Sequence, residues 1–165
     1  MPERPKPQTT EISEVLGVLA ALASAGCRSW VAGGWGVDAL VGRQTRPHRD
    51  LDLALDAERL DAGLAALTAL GYAVETDWLP VRVELHRPEH GWVDVHPVAF
   101  DASGAGVQAG FEGEVFHYPS ACFTHGWIGG VRVGCLSAEQ QLSFRQGYHL
   151  RAVDHHDLAL LAGLR

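Results

Sequence analysis

A chain of 165 residues, 47% apolar and 20% charged, has the length and apolar content of one globular domain with a real core, and it contains no apolar run long enough to span a bilayer. Its formal charge of −7 excludes broad binding to DNA or RNA, which needs a basic surface to neutralise phosphates; a small, cationic substrate suits it better. Cys27, Cys122 and Cys135 are odd in number and lack a Cys-x-x-Cys pair, so neither a disulfide framework nor a zinc knuckle is indicated, and reduced, partly buried thiols are expected.

Residues 1–9 are proline-rich and polar and read as a flexible tail without the apolar stretch of a signal peptide, which points to the cytoplasm. Residues 10–165 read as a single domain. Ile12, Val15, Leu16, Leu19 and Leu22 recur at helical spacing, with Thr10 as N-cap and Gly26 as stop. Ser29 to Ala32 predicts a short strand running into Gly33-Gly34, and Val37, Leu40 and Val41 a brief helix closed by Gly42. Asp50 to Leu55 alternates as a strand does. Residues 57–70 return to helical spacing through Leu60, Leu64, Leu67 and Leu70, ending at Gly71.

Strands are expected over 72–75, 81–85 and 92–98, separated by Pro80 and the turn from Pro88 to Gly91. The stretch 101–130, rich in glycine and aromatics, predicts loops and short strands over the site. A last strand at 131–136 precedes two closing helices within 137–165, the first over 137–148 and the second over 154–164, capped by Ser137 and Asp154. Strands and helices intermingle without regular alternation, which predicts an α+β fold with helices packed on a mixed sheet.

Successive side chains of a strand point to opposite faces, so Asp50 and Asp52 share one face while Leu51, Leu53 and Leu55 take the other. Two carboxylates in one small region repel each other unless a cation intervenes, and Mg²⁺ suits such oxygen ligands. In Val93-Asp94-Val95-His96 the same logic makes Asp94 a candidate third carboxylate, as ligand of one or two ions, as general base, or both. An isolated Asp-x-Asp is more often a strand's solvated face; what raises this one is Gly33-Gly34 before a helix, where backbone N–H groups favour phosphate oxygens. Arg43, Arg46, His48 and Arg49 supply the positive charge that a triphosphate needs. The only lysine is Lys6, so cationic work in the folded part falls to arginine and histidine.

The run Gly33-Gly34-Trp35-Gly36-Val37-Asp38, then Gly42 through Asp52, closely resembles the antibiotic nucleotidyltransferases, most of all the small lincosamide enzymes and more distantly the aminoglycoside 2″-nucleotidyltransferases. The likeness continues through Trp78-Leu79-Pro80, Arg82 to Leu85, Val93 to Pro97, Ser137 to Tyr148 and Asp154 to Asp157. It implies the nucleotidyltransferase fold of the polymerase beta type, with Asp50, Asp52 and Asp94 as metal carboxylates and Gly33, Gly34, Arg43, Arg46 and His48 around the nucleotide. It further implies Mg-dependent transfer of a nucleoside monophosphate, with ATP or another NTP as co-substrate, to a hydroxyl of an antibiotic, releasing pyrophosphate, and an enzyme that dimerises. An aminoglycoside, another metabolite or a protein remains open as acceptor, as does a nucleotide-binding module without catalysis. Many nucleotidyltransferases also set a lysine of a later helix against the triphosphate, which this chain lacks.

Trp78, Trp92, Phe111, Phe116, Tyr118 and Trp127 are candidates for an aromatic wall, with Trp78, Glu84, Trp92 and His96 the foremost substrate-binding candidates. Glu84 and Glu112 could meet a basic amine. His155-His156-Asp157 reads as a surface cluster behind a helix cap.

Overall fold

The computed structural model describes residues 9–146 and 148–164. Of the tail expected over 1–9 only Thr9 is among them, and Lys6 lies outside the described residues. Helix α1 (Ile12–Ser24) turns Val15, Val18 and Leu22 inward at i, i+3 and i+7. Thr10 is not its cap: Glu11 takes that place without a side-chain bond. Thr10 is buried, donating to Arg49 O at 2.8 Å and accepting from Trp92 N at 3.1 Å, so its hydroxyl ties the starts of two strands together.

Strand β1 (Ser29–Ala32) leads straight into α2 (Gly33–Val41), which Gly42 ends in the left-handed region at φ 91°. Next come β2 (Asp50–Asp56), α3 (Leu60–Ala69), and a meander of β3 (Ala73–Trp78), β4 (Arg82–Arg87) and β5 (Gly91–Phe100). The chain finishes with β6 (Gly106–Ala109), β7 (Val115–Tyr118), β8 (Phe123–Ile128), β9 (Val131–Leu136), α4 (Ala138–Phe144) and α5 (Ala152–Gly163). The sheet runs β3-β4-β5-β2-β1-β9-β8, with the β6-β7 hairpin attached to β5. Pairs β2·β5 and β1·β9 are parallel and the others antiparallel, the mixed sheet that the sequence predicts.

Leu51, Leu53 and Leu55 of β2 and Val93 and Val95 of β5 are buried against α1 and α3 in the main core. Each such leucine contributes roughly 1.5–3 kcal/mol, and this burial fixes which way the strand faces. Once 51, 53 and 55 are inside, 50 and 52 are committed to the opposite side. Farther along that opposite side a smaller cluster of Ala54, Val98, Tyr118 and Leu136 is covered by Phe144 of α4.

Three further expectations need correction. The segment 101–130 does hold loops and short strands, but not all of it lies over the site: β8 is a six-residue strand at the far edge of the sheet, where β9 offers it a full antiparallel ladder. The helix from Ser137, capped as expected, stops at Phe144 rather than Tyr148. Asp154 is not the N-cap of α5 but its third residue, whose carboxylate accepts from the N–H of the cap residue Arg151 at 2.9 Å. All three cysteines are free and buried, and burial pushes the Cys122 and Cys135 thiols up to about 11 and about 12. Among the described residues no helix is long and apolar enough to cross a membrane.

Candidate active site

The parallel register of β2 and β5 sets Asp52 beside Asp94 and Ala54 beside His96, and the antiparallel register of β4 sets Glu84 beside Asp94. Ligand atoms of Asp52, Asp94 and His96 come within 4.8 Å of one another, with His96 Nε2 3.7 Å from Asp52 Oδ1 and 3.6 Å from Asp94 Oδ2. Asp50 stands two residues along the same strand face, a third exposed, with Arg49 at 3.4 Å. Arg49 also lies 3.6 Å from Glu84.

These acids are short of counter-charge. Burial, then the neighbouring Asp52, lifts the Asp50 carboxyl to about 6, with Asp94 and Glu84 adding to Asp52 and Arg49 opposing. Burial also lifts Asp94, with Asp52 adding to it and His96 and Arg82 opposing. For His96, burial pushes the imidazole down but is outweighed by Asp52 and Asp94, so it ends above its usual range. Arg82 occupies Asp94 Oδ2 at 2.5 Å, while Asp94 Oδ1 is buried without a partner among the described residues. An orphaned carboxylate oxygen beside two further ligands fits a divalent cation. Asp50, Asp52 and Asp94 could hold Mg²⁺, with His96 in reach.

A cavity of about 720 Å³ opens over Asp50, Asp52 and His96. Its floor is the glycine turn. Gly33 has φ +57°, and a Cβ there would collide with the Asp52 carboxylate; a Cβ on Gly34 would come within 2.5 Å of Arg46 Nη2 and collide with His48. Glycine is therefore required twice, once for backbone conformation and once for space. His48 is buried, its Nε2 2.6 Å from Asp38 Oδ2, and its Nδ1 has no partner among the described residues. Burial pushes the Asp38 carboxyl up, but bonds from His48 and from Thr45 win and hold it below the usual range.

The opposite wall comes from the C-terminal helices. Arg145, Tyr148, Arg151 and Asp157 all line the cavity. Asp157 is 2% exposed and accepts from Arg46 Nε at 3.1 Å, Arg46 Nη2 at 2.9 Å and Arg145 Nη2 at 3.2 Å. It is no surface residue, contrary to the sequence reading; of its neighbours, His156 lies 2.9 Å from the Thr45 hydroxyl. None of these four was a site candidate in the sequence reading, although Arg145, Tyr148 and Asp157 lie in stretches that carry the resemblance. The available signal was Asp154, Asp157 and Leu161 at i, i+3 and i+7, all buried: an acid on the inner face of a helix demands a buried cation.

The cavity therefore gathers Gly33, Gly34, Arg46, His48, Asp50, Asp52 and His96, with Asp94 just behind. It does not gather Arg43, which is exposed and off the cavity lining. Trp78 and Trp92 lie off it too, but each supports an arginine that touches the acids: Arg82 lies over Trp78 at 4.5 Å and Arg49 over Trp92 at 4.3 Å. Of the other aromatics, Phe116 and Tyr118 line the cavity, whereas Phe111 edges Trp78 and Trp127 sits on β8. Tyr118 donates to Gln108 Oε1, and Gln108 Nε2 lies 3.2 Å from His96 Nδ1, so the hairpin steadies the histidine.

The chain is similar to several known proteins. A lincosamide resistance protein of Staphylococcus haemolyticus is 37% identical over 135 residues, which cover 82% of this chain and 84% of that one. A 2''-aminoglycoside nucleotidyltransferase of Escherichia coli is 38% identical over a shorter 63 residues, 38% of this chain and 36% of that one. The structure of the lincosamide antibiotic adenylyltransferase LnuA with lincomycin bound matches with a TM-score of 0.87 at 33% identity, over 96% of this chain and all (100%) of that one. Antibiotic-resistance factor ANT(2'')-Ia shares the fold, with a TM-score of 0.75 at 21% identity over 92% of this chain and 82% of that one. Residues 14–161 match the Aminoglycoside-2''-adenylyltransferase family, and the chain, with its nucleotidyltransferase fold, belongs to that family.

Proposed function

We propose that the protein is a Mg-dependent adenylyltransferase that moves AMP from ATP to a hydroxyl of a lincosamide antibiotic. The observation that carries this reading is the cavity itself, with unneutralised carboxylates on one wall and arginines on the other around a glycine turn. A magnesium triphosphate complements both walls, since its ion meets the acids and its oxygens meet the guanidiniums.

In the reaction the acceptor oxygen attacks the α-phosphorus, the bond to pyrophosphate breaks, and the hydroxyl proton leaves with a base. Asp50, Asp52 and Asp94 would hold the ion, which would draw charge off the phosphates. Asp94 serves as ligand, as general base or both: burial raises its basicity, Arg82 takes one carboxylate oxygen, and the other has no partner among the described residues. Gly33 and Gly34 let Asp52, Arg46 and His48 stand close against the start of α2, where its backbone N–H groups and Arg46 would meet the phosphates. Phe116 and Tyr118 offer an apolar wall to the acceptor.

The acceptor class follows the lincosamide relative, which matches most of the chain. An aminoglycoside is the second reading, favoured by the family match over residues 14–161. Incubation with ATP, Mg²⁺ and lincomycin, read by mass spectrometry, should give a product heavier by one AMP. Product from tobramycin alone moves the assignment to aminoglycosides; none from either acceptor, despite ATP binding, removes it. A cytoplasmic homodimer completes the reading: free buried cysteines suit a reducing compartment, and light scattering reads the assembly.

A further inference from the structure

Three guanidiniums and two carboxylates meet on the helix wall of the cavity. Arg151 is taken by Asp154, with Nε 3.1 Å from Oδ2. That leaves Asp157 alone to serve Arg46 and Arg145, residues that approach it from the loop before β2 and from the end of α4. The carboxylate grips Arg46 as a fork, through Nε and Nη2, and takes one bond from Arg145. Arg46 Nη1 donates to Pro47 O at 3.2 Å, and Nη2 is the atom that a Cβ on Gly34 would approach to 2.5 Å. The guanidinium is therefore fixed at three nitrogens, with Nη2 beside the glycine turn. Arg145 Nε is buried without a partner among the described residues. A cluster of this kind is one negative charge short and faces a cavity, which is how a protein leaves room for an anion.

We propose that Asp157 is a positioning residue for the triphosphate, whose single carboxylate, shared between Arg46 and Arg145, holds the Arg46 fork against Gly34 and leaves both arginines under-neutralised for the phosphates. The inference rests on the adenylyl-transfer reading. Asp157 acts through Arg46 and touches no reacting atom. A second carboxylate would cancel the charge that the phosphates need, and no carboxylate would let two like charges push the fork away. Residue 157 of the last helix thereby sets the geometry of residue 46.

The test uses the full chain, with ATP binding measured by calorimetry and turnover by pyrophosphate release. Asp157→Asn is isosteric but uncharged, and is expected to weaken ATP binding and raise the ATP KM by about tenfold while kcat stays within about threefold. Asp157→Glu restores the charge one methylene out of place and should recover part of the loss. Arg46→Gln with Asp157→Asn should be no worse for ATP than Arg46→Gln alone, since both remove the same clamp. If Asp157→Asn does not fold, Asp157→Glu alone should still raise KM. A lowered Tm with the wild-type ATP affinity, or a double variant in which the two losses add, overturns the proposal and leaves Asp157 as an anchor for α5. Wild-type protein that binds no ATP refutes the adenylyl-transfer reading instead.

Discussion

At the strand wall, among the described residues, Arg49 and Arg82 are the arginines ion-paired with Asp50, Glu84 and Asp94, with Asp52 beside them, whereas on the helix wall Arg46, Arg145 and Arg151 outnumber Asp154 and Asp157. The two walls are also built differently. The acids stand on adjacent strands, where ladder and pleat dictate their spacing; on the helix wall Arg46 and Asp157, 111 residues apart in the chain, are joined through side-chain bonds. The strand wall is thus set by the backbone and the helix wall by contacts, and each should fail in its own way.

The largest expected effect separates chemistry from binding. Asp52→Asn should lower turnover by about a thousandfold or more, because it removes a metal carboxylate while sparing the arginines. Calorimetry without metal should still find ATP bound; loss of that binding as well would mean the walls do not act independently. Gly34→Ala attacks the other wall by pushing Arg46 and His48 aside, and should raise the ATP KM by about tenfold with a smaller change in kcat. An unchanged KM would place the phosphates away from the turn.

A subtler prediction concerns the crowded acids. Asp50 is lifted to about 6, so the fold favours its protonated form: that stability is complete below the ordinary carboxylate range near pH 4 and is lost as pH rises through about 6. Asp38 and Asp154 are lowered and act in the opposite sense, so the quantity to measure is the difference in metal-free Tm between wild type and Asp50→Asn. The wild type should lose about 2–5 °C against the variant between pH 4 and pH 7, and Mg²⁺ should restore it. A difference of opposite sign would remove the repulsion assigned to this wall. The smallest effect belongs to Arg43→Ala, outside the cavity, which should leave the ATP KM within about twofold.

The same contrast explains what could be read without coordinates. Asp50, Asp52 and Asp94 were legible as candidates because a two-residue period puts alternate side chains on one face, and Gly33-Gly34 because, with the acids and arginines around it, it is more than an ordinary tight turn. The mixed sheet followed from the intermingled elements. Asp157 and Arg145 were missed: the spacing of Asp154, Asp157 and Leu161 sets an acid on the inner face of a helix, but nothing local names the arginines that it meets. Thr10 misled for a related reason: a threonine before a helix has the pattern of a cap, yet its hydroxyl found strand partners at Arg49 and Trp92. Trp78 and Trp92 were drawn to the substrate by type, but they act one step back, beneath the arginines that touch the acids.

The sunken thiols Cys27, Cys122 and Cys135 carry a practical dividend. With ionisation suppressed and access closed, none competes for a maleimide dye at neutral pH. Val115→Cys, on the exposed side of the β6-β7 hairpin, therefore provides a unique labelling point on the native background, from which fluorescence can follow the hairpin as nucleotide and antibiotic arrive.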